Sequence, residues 1–151
     1  MKNGCSGQIS AVTFRAKTRT KAAIKNLLGS RALYAMTKSD AISKLLASFQ
    51  DEPQVITPKG RTYEDYVEER KKDLLGYVIE PENVVVASAC FPEYYLEMYQ
   101  SNNVWAIAKW EDNWLLTLEA ENEFALAFGE NKNNLMMLGF SSSDALAEWL
   151  G

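Results

Sequence analysis

The sequence of 151 residues contains no histidine. Histidine is the usual general base near neutral pH and the commonest metal ligand in proteins. Its absence excludes Ser-His-Asp and Cys-His catalytic mechanisms, and it excludes zinc or haem sites held by histidine. We therefore expect binding rather than catalysis, and the sequence predicts no metal and no cofactor.

Cysteine is scarce as well, since only Cys5 and Cys90 are present. Two thiols cannot build a four-thiolate metal site within one chain, and a disulfide framework usually contains more of them. This scarcity favours a reducing compartment, and we expect a cytoplasmic location. Long apolar runs are also lacking. No stretch approaches the roughly 20 residues that a membrane-spanning helix needs, so we expect no membrane association.

Acidic residues are missing from the first part of the chain. Residues 1–39 contain eight basic side chains and no acid, whereas residues 40–151 contain eight basic and twenty acidic side chains, a net charge of −12. A basic segment can follow a phosphate backbone, which makes nucleic-acid binding an alternative function. The acidic remainder would repel a polyanion and argues against it. The predicted basic patch consists of Arg15, Lys17, Arg19, Lys21 and Lys25.

Residues 104–140 contain four short apolar runs separated by turn-forming clusters, and this pattern predicts an antiparallel meander. The runs read VWAIAKW, WLLTLEA, EFALAF and LMMLGF. Strict alternation places Val104, Ala106, Ala108 and Trp110 on one face of the sheet. Both faces of the predicted sheet are largely apolar, although a sheet with one wet face should alternate more cleanly. The second face must then be covered by helices of this chain or by another molecule.

Helix signals lie before and after the meander. Thr37 and Asp40 have the spacing of a capping box, and Thr62 can cap the next helix. Further elements are a strand at 83–88 that is buried on both sides, a helix at 92–100 and a short closing helix that follows Asp144. We predict one α+β domain over residues 1–151, with N-terminal helices on a four- to five-stranded antiparallel meander and a short C-terminal helix. Residues 1–17 are predicted to form a loose arm or an edge strand.

Cys90 is a catalytic candidate because it follows the predicted strand and precedes a helix that would start at Pro92. Oriented amides at a helix N-terminus lower the pKa of a thiol and make it a better nucleophile. The structural interpretation is favoured, because a free cysteine usually behaves as a small buried hydrophobe. Carboxylates are further candidates, since burial can assign acid and base roles to paired carboxylates. They are Glu93 and Glu97 on one predicted helix, and Glu119, Glu121 and Glu123 around a hairpin.

Aromatic residues are concentrated between positions 94 and 128. They can line a ligand pocket, form an interface or fill a core. The predicted binding residues are Tyr94, Tyr95, Trp105, Trp110 and Trp114.

These patterns favour a non-enzymatic protein-interaction module whose partner is another protein or a second copy of this chain. The two-sided hydrophobicity of the meander is the reason for predicting a homo-oligomer. The first alternative is a small-ligand-binding domain or an enzyme that uses carboxylates or Cys90. The second alternative is nucleic-acid binding through residues 1–39.

Overall fold

A six-stranded sheet lies at the centre of the structure, a computed structural model that describes residues 35–151. Four helices accompany the sheet within this part of the chain. The helices are α1 (Lys38–Ser48), α2 (Tyr63–Gly76), α3 (Leu96–Ser101) and α4 (Ala145–Leu150). The strands are β1 (Val78–Asn83), β2 (Val86–Ala89), β3 (Val104–Trp110), β4 (Asn113–Leu118), β5 (Phe124–Phe128) and β6 (Leu135–Met137). The α+β class is confirmed, but the sheet has six strands rather than four to five.

Helices α1, α2 and α4 begin at side-chain caps, because their first amides have no partner within the helix. Thr37 and Asp40 form the predicted capping box of α1, with the Thr37 amide 2.8 Å from Asp40 Oδ2. Thr62 accepts from the Asp65 amide at the start of α2. Ala41 and Leu45 of α1 are fully buried, whereas Leu46 is 47% exposed. The predicted helices before residue 35 and the arm at 1–17 lie outside the described residues.

The strand order is β1-β3-β4-β5-β6-β2, and β3, β4 and β5 form the predicted antiparallel meander. The predicted valine strand at 83–88 is wrong, because it is divided between the two ends of the sheet. The Val84 amide donates to Val104 O at the start of β3, and the Val85 amide donates to Lys132 O ahead of β6. Consecutive Cα atoms are about 3.8 Å apart, so the two ends of the sheet meet at this junction. Val85 is 53% exposed rather than buried on both sides.

A β-bulge in β3 breaks the alternation predicted for this strand. Ala106 pairs with Leu116 and Ala108 pairs with Leu115, so the register shifts between them. An extra residue reverses which face each later side chain occupies. Ala108 therefore packs in the core cluster opposite to that of Ala106, and placing them together was wrong. Trp110 likewise ends on the face of Tyr77 and contacts its ring.

The described chain covers both faces of the sheet. One face packs against α1, α2 and α4, where Leu45, Leu74 and Leu146 are fully buried. The other face packs against α3 and against Val84 and Val86 at the junction of β1 and β2, around the buried Tyr99. Two-sided hydrophobicity in the meander therefore needs no second molecule. The homo-oligomer stays a prediction, but this argument no longer supports it.

Candidate functional site

Cys90 does not lie at a helix N-terminus. Its amide donates to Met137 O, which continues the pairing of β2 with β6, and α3 begins only at Leu96. The thiol is a free, exposed cysteine. Glu93 precedes the helix, so Glu93 and Glu97 do not share a helix face. The geometry that motivated these catalytic candidates is therefore not present.

The structure separates the five predicted aromatic binding residues into four places. Trp105 and Trp114 are buried in the two core clusters. Tyr94 and Tyr95 are exposed on the segment between β2 and α3, whereas Trp110 is exposed at the end of β3. Burial of a strand residue depends on which helices cover that face, and an aromatic run in the sequence does not indicate this.

Three exposed aromatic side chains pack against each other, and we call Phe91, Tyr94 and Phe140 the aromatic triad. Their ring centroids are 5.2 Å apart for Tyr94–Phe140, 5.3 Å for Phe91–Phe140 and 6.5 Å for Phe91–Tyr94. The exposed fractions are 42%, 58% and 39% in chain order. Gly139 permits this packing, because a Cβ at that position would lie 2.5 Å from Phe91 O.

An acidic cleft of about 610 Å³ adjoins the triad. Tyr95 and Ser141 line it, and each is the chain neighbour of a triad residue, Tyr94 and Phe140 respectively. We define the acidic cleft by these two residues together with Met98, Asn102, Asn103, Leu118, Glu119, Ala120, Glu121 and Glu123. Three carboxylates thus lie around apolar side chains. The sequence placed these glutamates around a hairpin, and the fold brings them beside α3.

Buried polar groups hold one side of the acidic cleft. The Tyr99 hydroxyl and Ser141 Oγ are 2.9 Å apart, and Ser141 Oγ lies 3.0 Å from Glu123 Oε2. Burial raises the pKa of Tyr99 above its ordinary value, so this phenol stays protonated and can donate. Thr117 Oγ1 donates to Glu123 O at 2.9 Å. These bonds fix the backbone and the carboxylate of Glu123.

Lys44 holds the opposite side of the turn between β4 and β5. Its Nζ donates to Leu118 O at 3.0 Å and to Glu121 O at 2.8 Å. Burial lowers the pKa of Lys44, and the nearby carboxylates of Glu121 and Glu119 oppose that change. A lysine of α1 thus fixes the segment that carries the acidic side chains.

A second cleft, of about 650 Å³, lies at the other end of β4. We call it the tryptophan groove. It is lined by Arg70, Asp73, Tyr77, Trp110, Asn113, Leu126, Trp149 and Leu150. The Tyr77 ring contacts both indoles, with centroids 6.0 Å from Trp110 and 5.9 Å from Trp149.

Sequence reasoning missed Phe91, Phe140, Tyr77 and Trp149 as surface residues. They come from four separate segments, and only the fold brings them to the two sites. The only local signal among these segments is Gly139, because glycine allows a close approach of the backbone. No comparable signal marks Tyr77, which is the C-cap of α2.

The basic residues Arg15, Lys17, Arg19, Lys21 and Lys25 lie outside the described part of the chain. Within residues 35–151, no group of three or more acidic or cysteine side chains is arranged to hold a metal ion. No helix of the same region is long and apolar enough to cross a membrane. Comparison with known proteins found no matching family model, curated protein or solved structure.

Proposed function

We propose that this chain is a protein-interaction module that binds a basic protein segment through the aromatic triad and the acidic cleft. The observation that carries the proposal is the exposure of three mutually packed aromatic rings, of which Tyr94 is 58% accessible. Contiguous exposed apolar side chains bordered by polar ones are typical of interaction surfaces. Aromatic residues are also enriched at the centres of protein interfaces.

The chemistry of the acidic cleft supports a basic partner. Met98 and Leu118 supply apolar surface, and Glu119 and Glu121 supply carboxylates. A lysine or arginine can lay its aliphatic stem on the apolar surface and direct its charged end to the carboxylates. The net charge of −12 over residues 40–151 would also accelerate the approach of a basic partner.

The same charge argues for a partner that differs from this chain. Two copies that meet through this surface would bring their carboxylates together, and like charges across an interface cost free energy. The helices of this chain already cover the sheet faces. We therefore place the partner at the triad and the cleft, and not on the meander.

The proposal can be tested by selecting short peptides from a random display library on the immobilised full chain. We expect the selected peptides to be rich in lysine and arginine and to contain a large apolar residue. Tyr94→Ala should weaken binding of a selected peptide about tenfold, which is the loss typical of an interface anchor. Glu121→Gln should weaken binding several-fold at low salt and less at high salt, because rim charges are screened.

Ile56→Ala is the matched control, because Ile56 is 93% exposed and lies outside both sites. Its binding should equal that of the parent chain. Circular dichroism should show that each variant remains folded. The proposal is wrong if the selected peptides lack basic residues, or if Tyr94→Ala binds them as tightly as the Ile56→Ala control.

A further inference from the structure

The positive charges at the start of this chain are separated from its negative charges. Residues 1–39 contain eight basic side chains, and the first carboxylate of the chain is that of Asp40. Seven of the eight belong to residues 1–34, which lie outside the described residues and which we call the basic segment. Blocks of like charge are often segments that bind an oppositely charged macromolecule. The proposed protein interaction does not account for this block.

The lysines and arginines of the described residues are largely engaged by this chain itself. Four of them form ion pairs with carboxylates, namely Arg61, Arg70, Lys71 and Lys132. Lys44 donates to two backbone carbonyl oxygens instead. Residues 40–151 also carry a net charge of −12, which repels an anion. The basic segment is therefore the part of this chain that is suited to bind a polyanion.

Four of the seven basic side chains occupy alternate positions. They are Arg15, Lys17, Arg19 and Lys21, and the residues between them are Ala16, Thr18 and Thr20. A helix turns by about 100° per residue and would divide these four cations between two opposite sides, whereas an extended chain places all four on one side. Threonine hydroxyls can also donate to phosphate oxygens. The pattern thus fits contact with a linear chain of phosphates.

A membrane surface is the other common partner of a basic segment, and the composition argues against it. A helix that lies in the membrane interface needs a large apolar face that carries Trp, Phe or Leu. Residues 15–25 contain only three alanines and Ile24 as apolar side chains. Phe14 lies directly before the first of the four cations, and an aromatic ring there can stack on a base. Cations together with an aromatic ring are the groups that bind single strands without reading their sequence.

We propose that the basic segment binds single-stranded nucleic acid through the phosphates of the strand, without reading the base sequence. Repulsion by the acidic remainder lowers the affinity, but at physiological ionic strength it acts over only about 8 Å. Neutralising four phosphates of a single strand gives a slope of about −3 for the logarithm of the binding constant against the logarithm of the salt concentration. This binding does not depend on the aromatic triad or the acidic cleft.

The test follows the fluorescence anisotropy of a labelled oligouridylate while the full chain is added. A strand of about 20 nucleotides is longer than the sites of about 4–16 nucleotides that small single-strand-binding domains cover. We expect saturable binding at about 50 mM salt and a slope of about −3 between about 50 and 200 mM salt. Tyr94→Ala should leave both unchanged, so this inference and the proposed protein interaction can fail separately.

Two pairs of substitutions with the same change in net charge locate the contact. Arg19→Gln with Lys21→Gln should weaken binding at least tenfold at low salt and reduce the slope to about half, because two phosphate contacts are lost. Lys59→Gln with Lys72→Gln is the matched control at two exposed lysines of the described chain, and it should leave the slope unchanged. Circular dichroism should show that all variants remain folded.

Three results would overturn the inference. Equal weakening by the two pairs would show that net charge alone governs binding. Binding to vesicles rich in phosphatidylserine without binding to the oligouridylate would assign the basic segment to a membrane surface. A lack of binding at about 50 mM salt with up to about 0.1 mM chain would place the affinity below the range of non-specific nucleic-acid binding.

Discussion

Replacing Gly139 by alanine tests how the aromatic triad is built. Gly139 has a φ of +121°, a conformation that residues with a Cβ rarely adopt, and such strain costs about 1–3 kcal/mol. The new Cβ would lie 2.5 Å from Phe91 O and 2.9 Å from Phe91 Cβ, so the Phe91 backbone must move. That movement strains the bond of 3.1 Å from the Phe91 amide to Leu138 O, worth about 1 kcal/mol. Together we expect Gly139→Ala to lower the free energy of unfolding by about 2–4 kcal/mol.

Two other glycines separate backbone strain from the steric clash. Gly60 has a φ of +84° but open space around its Cβ position, so Gly60→Ala should cost about 1–2 kcal/mol from strain alone. Gly76 ends α2 without a positive φ and is also open, so Gly76→Ala should stabilise the protein by about 0.4–1 kcal/mol. Urea denaturation followed by circular dichroism measures all three variants. The reasoning is refuted if Gly139→Ala is no more destabilising than Gly60→Ala, since the predicted clash would then be absent.

Two further predictions concern charged groups near the acidic cleft. Burial raises the pKa of Glu148. Between its pKa in the unfolded chain and its higher pKa in the folded state, the folded state binds more protons. The free energy of unfolding therefore falls as the pH rises through that window. Glu148→Gln should therefore be more stable than the parent chain at neutral pH. This gain in stability should vanish well below pH 4.5, the ordinary pKa of a glutamate. A stability difference that stays constant across the pH series would contradict a raised pKa for Glu148. Lys44→Met should cost about 1–2 kcal/mol and speed amide exchange at 119–123, because two carbonyl oxygens lose a charged donor. Lys59→Met, at an exposed lysine, should stay within about 0.5 kcal/mol, and equal losses for the two variants would remove the special role of Lys44.

Local patterns in the sequence predicted the meander well. The bounds of β3, β4 and β5 agree with the apolar runs, because turn residues and alternating side chains act over a few positions. The same is true of the caps at Thr37 and Thr62, whose side chains satisfy amides only three residues away. These features depend on near neighbours, which a sequence shows directly.

Long-range features were not predictable in this way. The bulge between Ala106 and Ala108 leaves no local mark, yet it decides which face Trp110 occupies. The parallel pairing of β2 with β6 likewise joins segments with no shared pattern. The candidate sites depend on both features. Tyr94 and Tyr95 could be named from composition, whereas their companion Phe140 reaches the triad only because β6 pairs with β2.

The Val84–Val85 junction has a consequence for the order in which the chain can fold during synthesis. The amide of Val84 donates to Val104 O and the amide of Val85 donates to Lys132 O, so two consecutive residues need partners from two later parts of the chain. The second partner leaves the ribosome about 50 residues after the junction. Contacts of this sequence separation slow folding, because a long loop must close before they form. The amide of Val84 can find its partner once β3 has been translated, whereas the amide of Val85 must wait for Lys132, so the sheet closes at this junction only late in synthesis.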